Sequence, residues 1–263
     1  MQGATAGGPN GRSITVVVPA YDEALVIRDL VRTIVPSLPQ GAELLIVDDG
    51  STDETPRILE ELTREVACLR VVSHDRNRGI GAALATAFRE ATGDVIVTMD
   101  ADLSHPAELV IRLAEGCRGA DAVYGSRYVA GGGMRGVPGW RVAISRLANT
   151  VMRVLLRTSV RDLTTGMRGF RRDAVKDLRL DATGFEAQLE ITVRLLAAGC
   201  RIHEVPMVLR NRSAGESKMR YLRLAPRYAL TLVRMLGVRW SAGRAARAGR
   251  VPDSPARPLQ DPS

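Results

Sequence analysis

Short apolar runs alternate with longer amphipathic segments along the first half of the chain. Residues 14–18, 43–47, 69–73 and 94–99 have the length and the aliphatic content of strands. Residues 23–37, 53–66 and 79–91 lie between them and show the periodicity of helices. Ser51 and Thr52 are candidate N-caps of the second helix. This alternation predicts an α/β fold with a mostly parallel sheet covered by helices on both faces.

The alternation stops after Gly125. The pattern then predicts a helix over 140–157, an irregular loop over 162–169, a helix over 185–198 and a strand pair near 201–210. We expect a flexible N-terminus at 1–12, one α/β domain at 13–219, a basic amphipathic helix at 220–240 and a disordered tail at 241–263.

Polar side chains follow each of the four predicted strands. The first strand runs into Pro19-Ala20-Tyr21-Asp22-Glu23, the second into Asp48-Asp49-Gly50-Ser51, the third into Asp75-Arg76-Asn77-Arg78-Gly79 and the fourth into Asp100-Ala101-Asp102. The carboxyl ends of parallel strands meet at one edge of a sheet, where such folds place their chemistry. Turn or cap formation explains any one of these carboxylates, but not their presence after all four strands.

Asp100 and Asp102 are candidate ligands of a metal ion. Two aspartates at i and i+2 after a strand project to the same side, and their oxygens suit a hard divalent cation such as Mg²⁺ or Mn²⁺. Water and diphosphate oxygens would complete the coordination. An isolated Asp-x-Asp triplet is common by chance, so its position directly after an apolar strand is what makes it informative.

Bulk composition narrows the class of protein. The 45% hydrophobic content is ample for a core, and the N-terminus lacks the apolar stretch of a signal peptide. No run approaches the roughly 18 apolar residues of a membrane span. The three cysteines lack metal-binding spacing, which indicates reduced thiols in a cytoplasmic protein.

The net charge of +8 is concentrated at the C-terminal end, because residues 220–263 hold nine Arg and two Asp. Arg220, Arg223, Arg227, Thr231 and Arg234 form one polar stripe on an otherwise apolar segment. Such a helix either lies in the headgroup layer of an anionic membrane or packs on the domain with its arginines outward. We expect the former, on the cytoplasmic face. The scarcity of aromatic residues argues against nucleic-acid binding.

Five segments together resemble the inverting family-2 glycosyltransferases of GT-A fold, in particular the dolichol- or polyprenol-phosphate mannosyltransferase branch. They are VVVPAYDEA, VDDGSTDET, NRGIGAALATAF, MDADLSHP and YGSRYVAGG, and the resemblance extends over about residues 13 to 220. It implies a nucleotide-sugar donor, GDP-mannose above all, a polyprenyl phosphate acceptor and a divalent cation. Asp22 stands where the family usually has Asn.

The resemblance also implies roles for individual residues. The donor nucleotide-sugar would contact Pro19, Tyr21, Glu23, Asp48 or Asp49, Asp75, Asn77, Gly79, Asp100, Ala101 and Asp102, with Arg212 and Lys218 on a closing loop. Arg127, Arg141 and Ser145 would gather the acceptor phosphate, since the guanidinium fork bonds phosphate oxygens bidentately. Gln188 or Glu190 would lie near the sugar, although a buried structural ion pair explains Glu190 equally well.

A lipid phosphate is already anionic and can attack the anomeric carbon without a general base. The interpretation therefore predicts catalytic roles for Asp102, Arg127, Arg212 and Gln188 or Glu190, and loss of transfer without loss of donor affinity when Arg127 is neutralised. A UDP-sugar donor or a soluble acceptor with Glu190 as base is the alternative within glycosyl transfer. Two other classes of protein are further alternatives. A nucleotidylyltransferase would carry a Gly-rich loop after the first strand, where this chain has Pro19–Glu23. A non-catalytic membrane adaptor would bind no nucleotide-sugar.

Overall fold

The computed structural model describes residues 12–210 and 221–247, with side chains from 226 to 241 in the second range. Its first half is the predicted alternation of β1 (Ile14–Ala20), α1 (Ile27–Ile34), β2 (Glu43–Asp48), α2 (Thr55–Glu65), β3 (Leu69–Ser73), α3 (Ile80–Glu90) and β4 (Val95–Thr98). A 3-10 turn (Val35–Ser37) follows α1. The four strands are parallel, in the order β3-β2-β1-β4.

The second half extends the same sheet. It contains α4 (Leu109–Gly116), β5 (Ala122–Ser126), β6 (Gly133–Arg135), α5 (Gly139–Leu156), β7 (Arg168–Arg171), α6 (Arg172–Val175), α7 (Ala187–Ala197), β8 (Ile202–Pro206), β9 (Val208–Arg210) and α8 (Tyr221–Arg247). The sheet order is β3-β2-β1-β4-β7-β5-β8, with β7 antiparallel to both neighbours. Strands β6 and β9 form a separate parallel pair.

Apolar side chains cover both faces of the sheet, as the near-continuous strands predict. Val16, Val18 and Ile46 pack with α1, α2 and α4 on one face, and Val17 and Leu45 pack with α3 and α7 on the other. The cysteines Cys68, Cys117 and Cys200 form no disulfide. Among the helices that the structure describes, none has the length and apolarity needed to cross a bilayer.

Helix α1 begins four residues later than predicted, because the preceding loop is bonded to the loop after β2. The backbone N–H of Asp22 donates to Ser51 Oγ, at 2.9 Å, and Asp22 Oδ1 accepts from the Thr52 N–H, at 2.8 Å. Asp22 has a φ of 50°, a left-handed conformation that Asp and Asn tolerate. Ser51 and Thr52 therefore hold Asp22, and their prediction as N-caps is wrong.

Two further boundaries differ from the prediction. The segment 162–169 is not irregular throughout, because Arg168 and Gly169 belong to β7 and pair with Thr98 and Val97. A four-residue strand that begins and ends with arginine carries too weak a periodicity to be recognised. The strands near 201–210 do not pair with each other, since β8 joins β5 and β9 joins β6.

Helix α8 packs on the domain instead of presenting its apolar face outward. Tyr228, Leu232, Met235 and Leu236 join the core beside α7, and Thr231 of the predicted polar stripe is buried. Arg234 pairs with Asp181 at 2.9 Å. These four side chains are therefore not available to a membrane surface, whereas Leu230, Val233 and Trp240 of the same helix are exposed, and the membrane contact of this helix stays a prediction. The helix also extends to Arg247, beyond the predicted start of the tail at 241.

The carboxylate of Glu43 connects three elements at the amino end of the sheet. It accepts hydrogen bonds from Thr15 Oγ1 at 2.6 Å, Arg70 Nε at 2.6 Å and Thr92 Oγ1 at 2.9 Å. Burial acts to raise the pKa of Glu43, but these hydrogen bonds and the charge of Arg70 outweigh it and hold that pKa below the ordinary 4.5.

We expect Glu43→Gln to lower the free energy of unfolding at pH 7 by about 1 kcal/mol. Because the pKa of Glu43 is lowered on folding, its stabilisation is present above the unfolded-state pKa and is lost as pH falls through the folded-state value. The difference between wild type and variant should therefore shrink below about pH 4.5. Urea unfolding at pH 7 and pH 3.5 measures it, with exposed Glu65→Gln as the control. A difference that stays constant with pH contradicts this role.

Candidate active site

A cleft of about 420 Å³ lies at the carboxyl ends of β1, β2 and β3. This volume is within the range of small-molecule sites. Of the residues predicted to contact a nucleotide, Tyr21, Asp48, Asp75 and Asn77 line the cleft. The other lining residues are Gly50, Ser51, Thr52, Pro56, Ser73, His74 and Arg76. Pro19, Glu23, Asp49 and Gly79 are not among them.

The structure separates the roles of the two neighbouring aspartates after β2. Asp49 is buried and accepts hydrogen bonds from His74 Nδ1 at 2.6 Å, the Arg78 N–H at 3.0 Å and the Gly79 N–H at 2.7 Å. Both of its oxygens are thereby used to shape the loop after β3. Asp48 lines the cleft and uses Oδ1 to accept from the Ser51 N–H at 3.1 Å. Asp48, and not Asp49, is thus the carboxylate placed to meet a ligand.

Gly79 has a structural role as well. Its φ is 88°, and a Cβ at this position would lie 2.3 Å from the carbonyl oxygen of Thr183. The residue directly precedes α3, so the left-handed conformation and the close approach together demand glycine here. Gly79 therefore brings the loop that carries Asn77 against the Thr183 segment and contributes no side chain of its own.

Asp100 and Asp102 follow β4 at the same edge of the sheet. The side chain of Ala101 between them packs into the core, so a donor contact at this residue would be made by its backbone. Asp102 Oδ1 accepts from the Ser104 N–H at 3.0 Å, and the Asp100 N–H donates to His105 Nδ1 at 3.1 Å. A Cβ on Gly166 would lie 2.6 Å from Asp100 Oδ1, so only glycine lets this loop approach the carboxylate. Both carboxylates, which are hard oxygen donor groups, therefore follow β4 at the carboxyl end of the sheet.

Arg127 forms a buried bidentate ion pair with Asp162. Arg127 Nε donates to Asp162 Oδ2 at 2.7 Å and Nη2 donates to Oδ1 at 2.6 Å, and the two side chains are 12% and 0% exposed. Burial alone would raise the pKa of Asp162, but the charge and hydrogen bonds of Arg127 hold that pKa below its ordinary 3.8. Nη1 of Arg127 has no hydrogen-bond partner among the described residues. Arg127 is therefore neither a solvated surface charge nor fully satisfied.

Tyr128 brings Arg127 and Ser145 together. Its hydroxyl donates to Ser145 Oγ at 2.7 Å, and its ring lies under the guanidinium of Arg127 at 5.3 Å and that of Arg146 at 5.8 Å. Arg141 lies one helical turn before Ser145 on α5, with its guanidinium 5.2 Å from the Trp140 ring centroid. The structure thus places the predicted phosphate-binding residues around one end of α5.

Two buried polar side chains connect this cluster to the rest of the site. Asn149 of α5 accepts from the Leu163 N–H at 2.8 Å and donates to Thr164 Oγ1 at 3.2 Å. Arg168, which is fully buried, donates to the carbonyls of Leu163 at 2.9 Å and of Gln188 at 2.8 Å. Helix α5, the loop before β7 and the start of α7 are therefore held in one arrangement.

Glu190 has a structural role, and the expectation that it lies at the sugar or acts as a base is wrong. It is 0% exposed, pairs with Arg194 at 2.6 Å and accepts from the backbone N–H groups of Asp181 and Ala182. Gln188 differs, because its buried Oε1 has no partner among the described residues. Arg212 and Lys218 lie outside the described residues.

The outer face of α5 is apolar and exposed. Trp140, Ile144, Leu147, Val151, Val154 and Leu155 are 44–66% exposed. At about 100° per residue they share an arc of roughly 100° on the helix, opposite the buried Asn149. Arg141 lies at the border between this arc and the site. Contiguous apolar exposure of this kind marks an interaction surface.

Sequence reasoning missed several residues of this site. Ser51 and Thr52 follow the end of β2 by three and four residues, and this position at the sheet edge is the signal that could have placed them in the cleft. His74 and Tyr128 carry no recognisable spacing, because their roles depend on partners distant along the chain, Asp49 and Ser145. The apolar arc of α5 could have been found from its spacing of four and three residues.

Residues 15–179 match the family described as glycosyl transferase family 2. Dolichol-phosphate mannosyltransferase of Pyrococcus furiosus is 35% identical over 79% of this chain, which spans 59% of that relative's length. Polyprenol monophosphomannose synthase of Mycolicibacterium smegmatis is 34% identical over 80% of this chain and 82% of its own.

A solved structure of similar fold is glucosyl-3-phosphoglycerate synthase of Mycobacterium tuberculosis in complex with Mn²⁺, UDP-glucose and glycerol 3-phosphate. It is 25% identical, with a TM-score of 0.63, over 86% of this chain and 81% of its own. The mostly parallel sheet with flanking helices is thus the expected GT-A arrangement. By the family match and the two relatives, this chain is an enzyme that belongs to glycosyl transferase family 2.

Proposed function

We propose that this enzyme transfers mannose from GDP-mannose to a polyprenyl phosphate, with inversion at the anomeric carbon and with a divalent cation. Support comes from the names of the relatives in Pyrococcus furiosus and Mycolicibacterium smegmatis, which are mannosyltransferases of lipid phosphates. The cleft beside Asp48 suits the nucleoside, and the carboxylates of Asp100 and Asp102 suit the diphosphate end of the donor.

The observation that carries the proposal is the junction of a cationic cluster and an apolar helix face. Arg127, Tyr128 and Ser145 meet at one end of α5, and the outer face of the same helix exposes six large apolar side chains. A polyprenyl phosphate has this composition, with one anionic headgroup on a long apolar chain. Arg141, at the border of the two regions, is placed to contact the headgroup where the lipid leaves the membrane.

Asp100 and Asp102 fit a divalent cation. Their carboxylates are the hard oxygen donors that Mg²⁺ and Mn²⁺ prefer, and no side chain at Gly166 covers Asp100 Oδ1. Within the described residues no three His, Cys, Asp or Glu side chains converge, so diphosphate and water would supply the remaining oxygens. When bound, the cation supplies charge neutralisation on the departing diphosphate. The solved neighbour binds Mn²⁺ together with UDP-glucose.

The residues of the chain supply orientation and charge. An oxygen of the lipid phosphate forms the new bond to the anomeric carbon, and the bond from that carbon to the diphosphate breaks with its electron pair on the diphosphate. The attacking oxygen carries no proton, so no side chain has to act as a base. Arg127, fixed by Asp162, and Arg141 hold the anion against the repulsion of the donor diphosphate.

The apolar face of α5 also supports contact with a membrane surface. Helix α8, which contacts α5, exposes the side chains of Leu230, Val233 and Trp240. No acidic residue occurs in α5, and Arg141 lies at the border of its apolar arc. Apolar insertion with flanking arginines is typical of proteins bound at an anionic lipid interface.

The first test is transfer itself. Labelled GDP-mannose offered with polyprenyl phosphate should give product that extracts into organic solvent, in the presence of Mg²⁺ or Mn²⁺ and not of EDTA. Asp102→Asn should lower this product at least 100-fold, since charge neutralisation on the diphosphate is lost. Exposed Asp29→Asn is the control. Faster transfer from UDP-glucose would refute the donor assignment, and transfer that is insensitive to EDTA would refute the cation.

The second test addresses the acceptor phosphate. Arg141→Ala should raise the KM for polyprenyl phosphate about 10-fold or more while the affinity for GDP-mannose is unchanged, because only the acceptor loses a charge-assisted hydrogen bond. Arg153→Ala, on the same helix, should leave both values unchanged. Arg127 is a less specific probe than the sequence suggests, because its removal strands the buried charge of Asp162. Equal loss of donor and acceptor affinity in Arg141→Ala would contradict this assignment.

The third test addresses the membrane. The double variant Leu147→Glu with Val154→Glu should reduce sedimentation with phosphatidylglycerol-containing vesicles at least 5-fold, because two charges enter the apolar arc. Nucleotide binding should be retained, since both side chains are more than 60% exposed. Leu25→Glu, at a residue 82% exposed in the loop before α1, is the matched control. Unchanged sedimentation of the double variant would exclude this face of α5 as the contact.

A further inference from the structure

Glu186, at the N-terminus of α7, has a carboxylate oxygen that accepts no hydrogen bond from the described residues. Glu186 is 5% exposed, and its Oε2 is buried without a hydrogen-bond partner among the described residues. Its Oε1 accepts a 3.2 Å hydrogen bond from the Gly184 N–H. Buried charged oxygens are nearly always paired, because leaving one unpaired costs the full penalty of its desolvation. A carboxylate of this kind therefore indicates a ligand that donates hydrogen bonds.

The segment that carries Glu186 runs between the nucleotide side and the diphosphate side of the site. At one end, the Thr183 carbonyl accepts from the Gly81 N–H at 2.9 Å, next to the loop of Asn77 and Gly79. At the other end, the Gln188 carbonyl accepts from buried Arg168. Glu186 lies between these two contacts, at the N-terminus of α7.

Tyr228 of α8 places Glu186 relative to Asp100. The Tyr228 hydroxyl donates to the Phe185 carbonyl at 3.0 Å. Burial is the main cause that raises the pKa of Tyr228. The negative charge of Glu186 raises it further, and the charge of Asp100 acts in the same direction. Both carboxylates are thus within electrostatic reach of one phenol. If the diphosphate binds at Asp100, as proposed above, the hexose attached beyond it would come within reach of this segment.

We propose that Glu186 accepts hydrogen bonds from hydroxyl groups of the donor hexose and so selects among sugars. This contact rests on the proposed function, because it places the diphosphate at Asp100. A hexose supplies the O–H donors that the carboxylate lacks, and it carries no charge that would demand a second counter-ion. The unpartnered Oε1 of Gln188, two residues further along, is a second acceptor on the same segment.

Monodeoxy analogues of GDP-mannose test this contact. The wild type should lose about 10- to 100-fold in kcat/KM with the analogue that lacks the bonded hydroxyl, because a charged acceptor is then left buried and unpaired. Glu186→Ala should transfer GDP-mannose more slowly but should no longer distinguish that analogue from GDP-mannose. Glu186→Asp should restore part of the discrimination, and GDP affinity should be the same in all variants.

Asp181→Asn is the control. Asp181 is an exposed carboxylate five residues earlier that pairs with Arg194 and Arg234, so its substitution should leave the discrimination between GDP-mannose and its deoxy analogues unchanged. If each deoxy analogue lowers kcat/KM by the same factor in the wild type and in Glu186→Ala, the contact is refuted and Glu186 is a structural residue. A variant that loses GDP affinity in proportion to its activity would also refute it. Absence of GDP-mannose turnover by the wild type would refute the proposed function, and this contact with it.

Discussion

The predicted acceptor side of the site depends on one buried ion pair, in which the charge of the Asp162 carboxylate neutralises that of the Arg127 guanidinium. Arg127 and Asp162 come from different loops, and each would be costly to bury alone. Their bidentate contact keeps Asp162 charged and leaves one nitrogen of Arg127 for a ligand. Thr164 and Asn149 extend the network to helix α5. Such a pair adds little net stability, but it fixes the direction in which the remaining charge points.

The carboxylates at this edge of the sheet divide into those that build the site and those that remain open to a ligand. Asp49 and Glu190 have their oxygens taken by backbone N–H groups and by His74 or Arg194. Asp48 and Glu186 each accept a hydrogen bond from one backbone N–H among the described residues, and one oxygen of each is not used in that bond. Burial and sequence position are similar in both groups, so the pattern of accepted hydrogen bonds is what separates structure from binding.

Two amphipathic helices use their apolar residues in opposite ways. Helix α8 buries Tyr228 and Met235 beside α7, so its arginines pair with the domain, as Arg234 does with Asp181. Helix α5 buries its polar face, with Asn149 and Ser145 bonded to the site, and exposes its apolar arc. Periodicity indicates that a helix has two faces, but which face is turned inward follows from the partners available on the domain.

The sequence by itself determined the parallel half of the sheet and the edge at which the polar loops meet. It also determined that Asp100 and Asp102 both follow the fourth strand. These features follow from local periodicity and from the geometry of parallel strands. Only the tertiary structure decided that β7 inserts antiparallel between β4 and β5, that Asp48 faces the cleft while Asp49 holds a loop, and that Glu186 rather than Glu190 has an oxygen to offer. Each of these depends on contacts between residues far apart along the chain, and no local pattern encodes such partners.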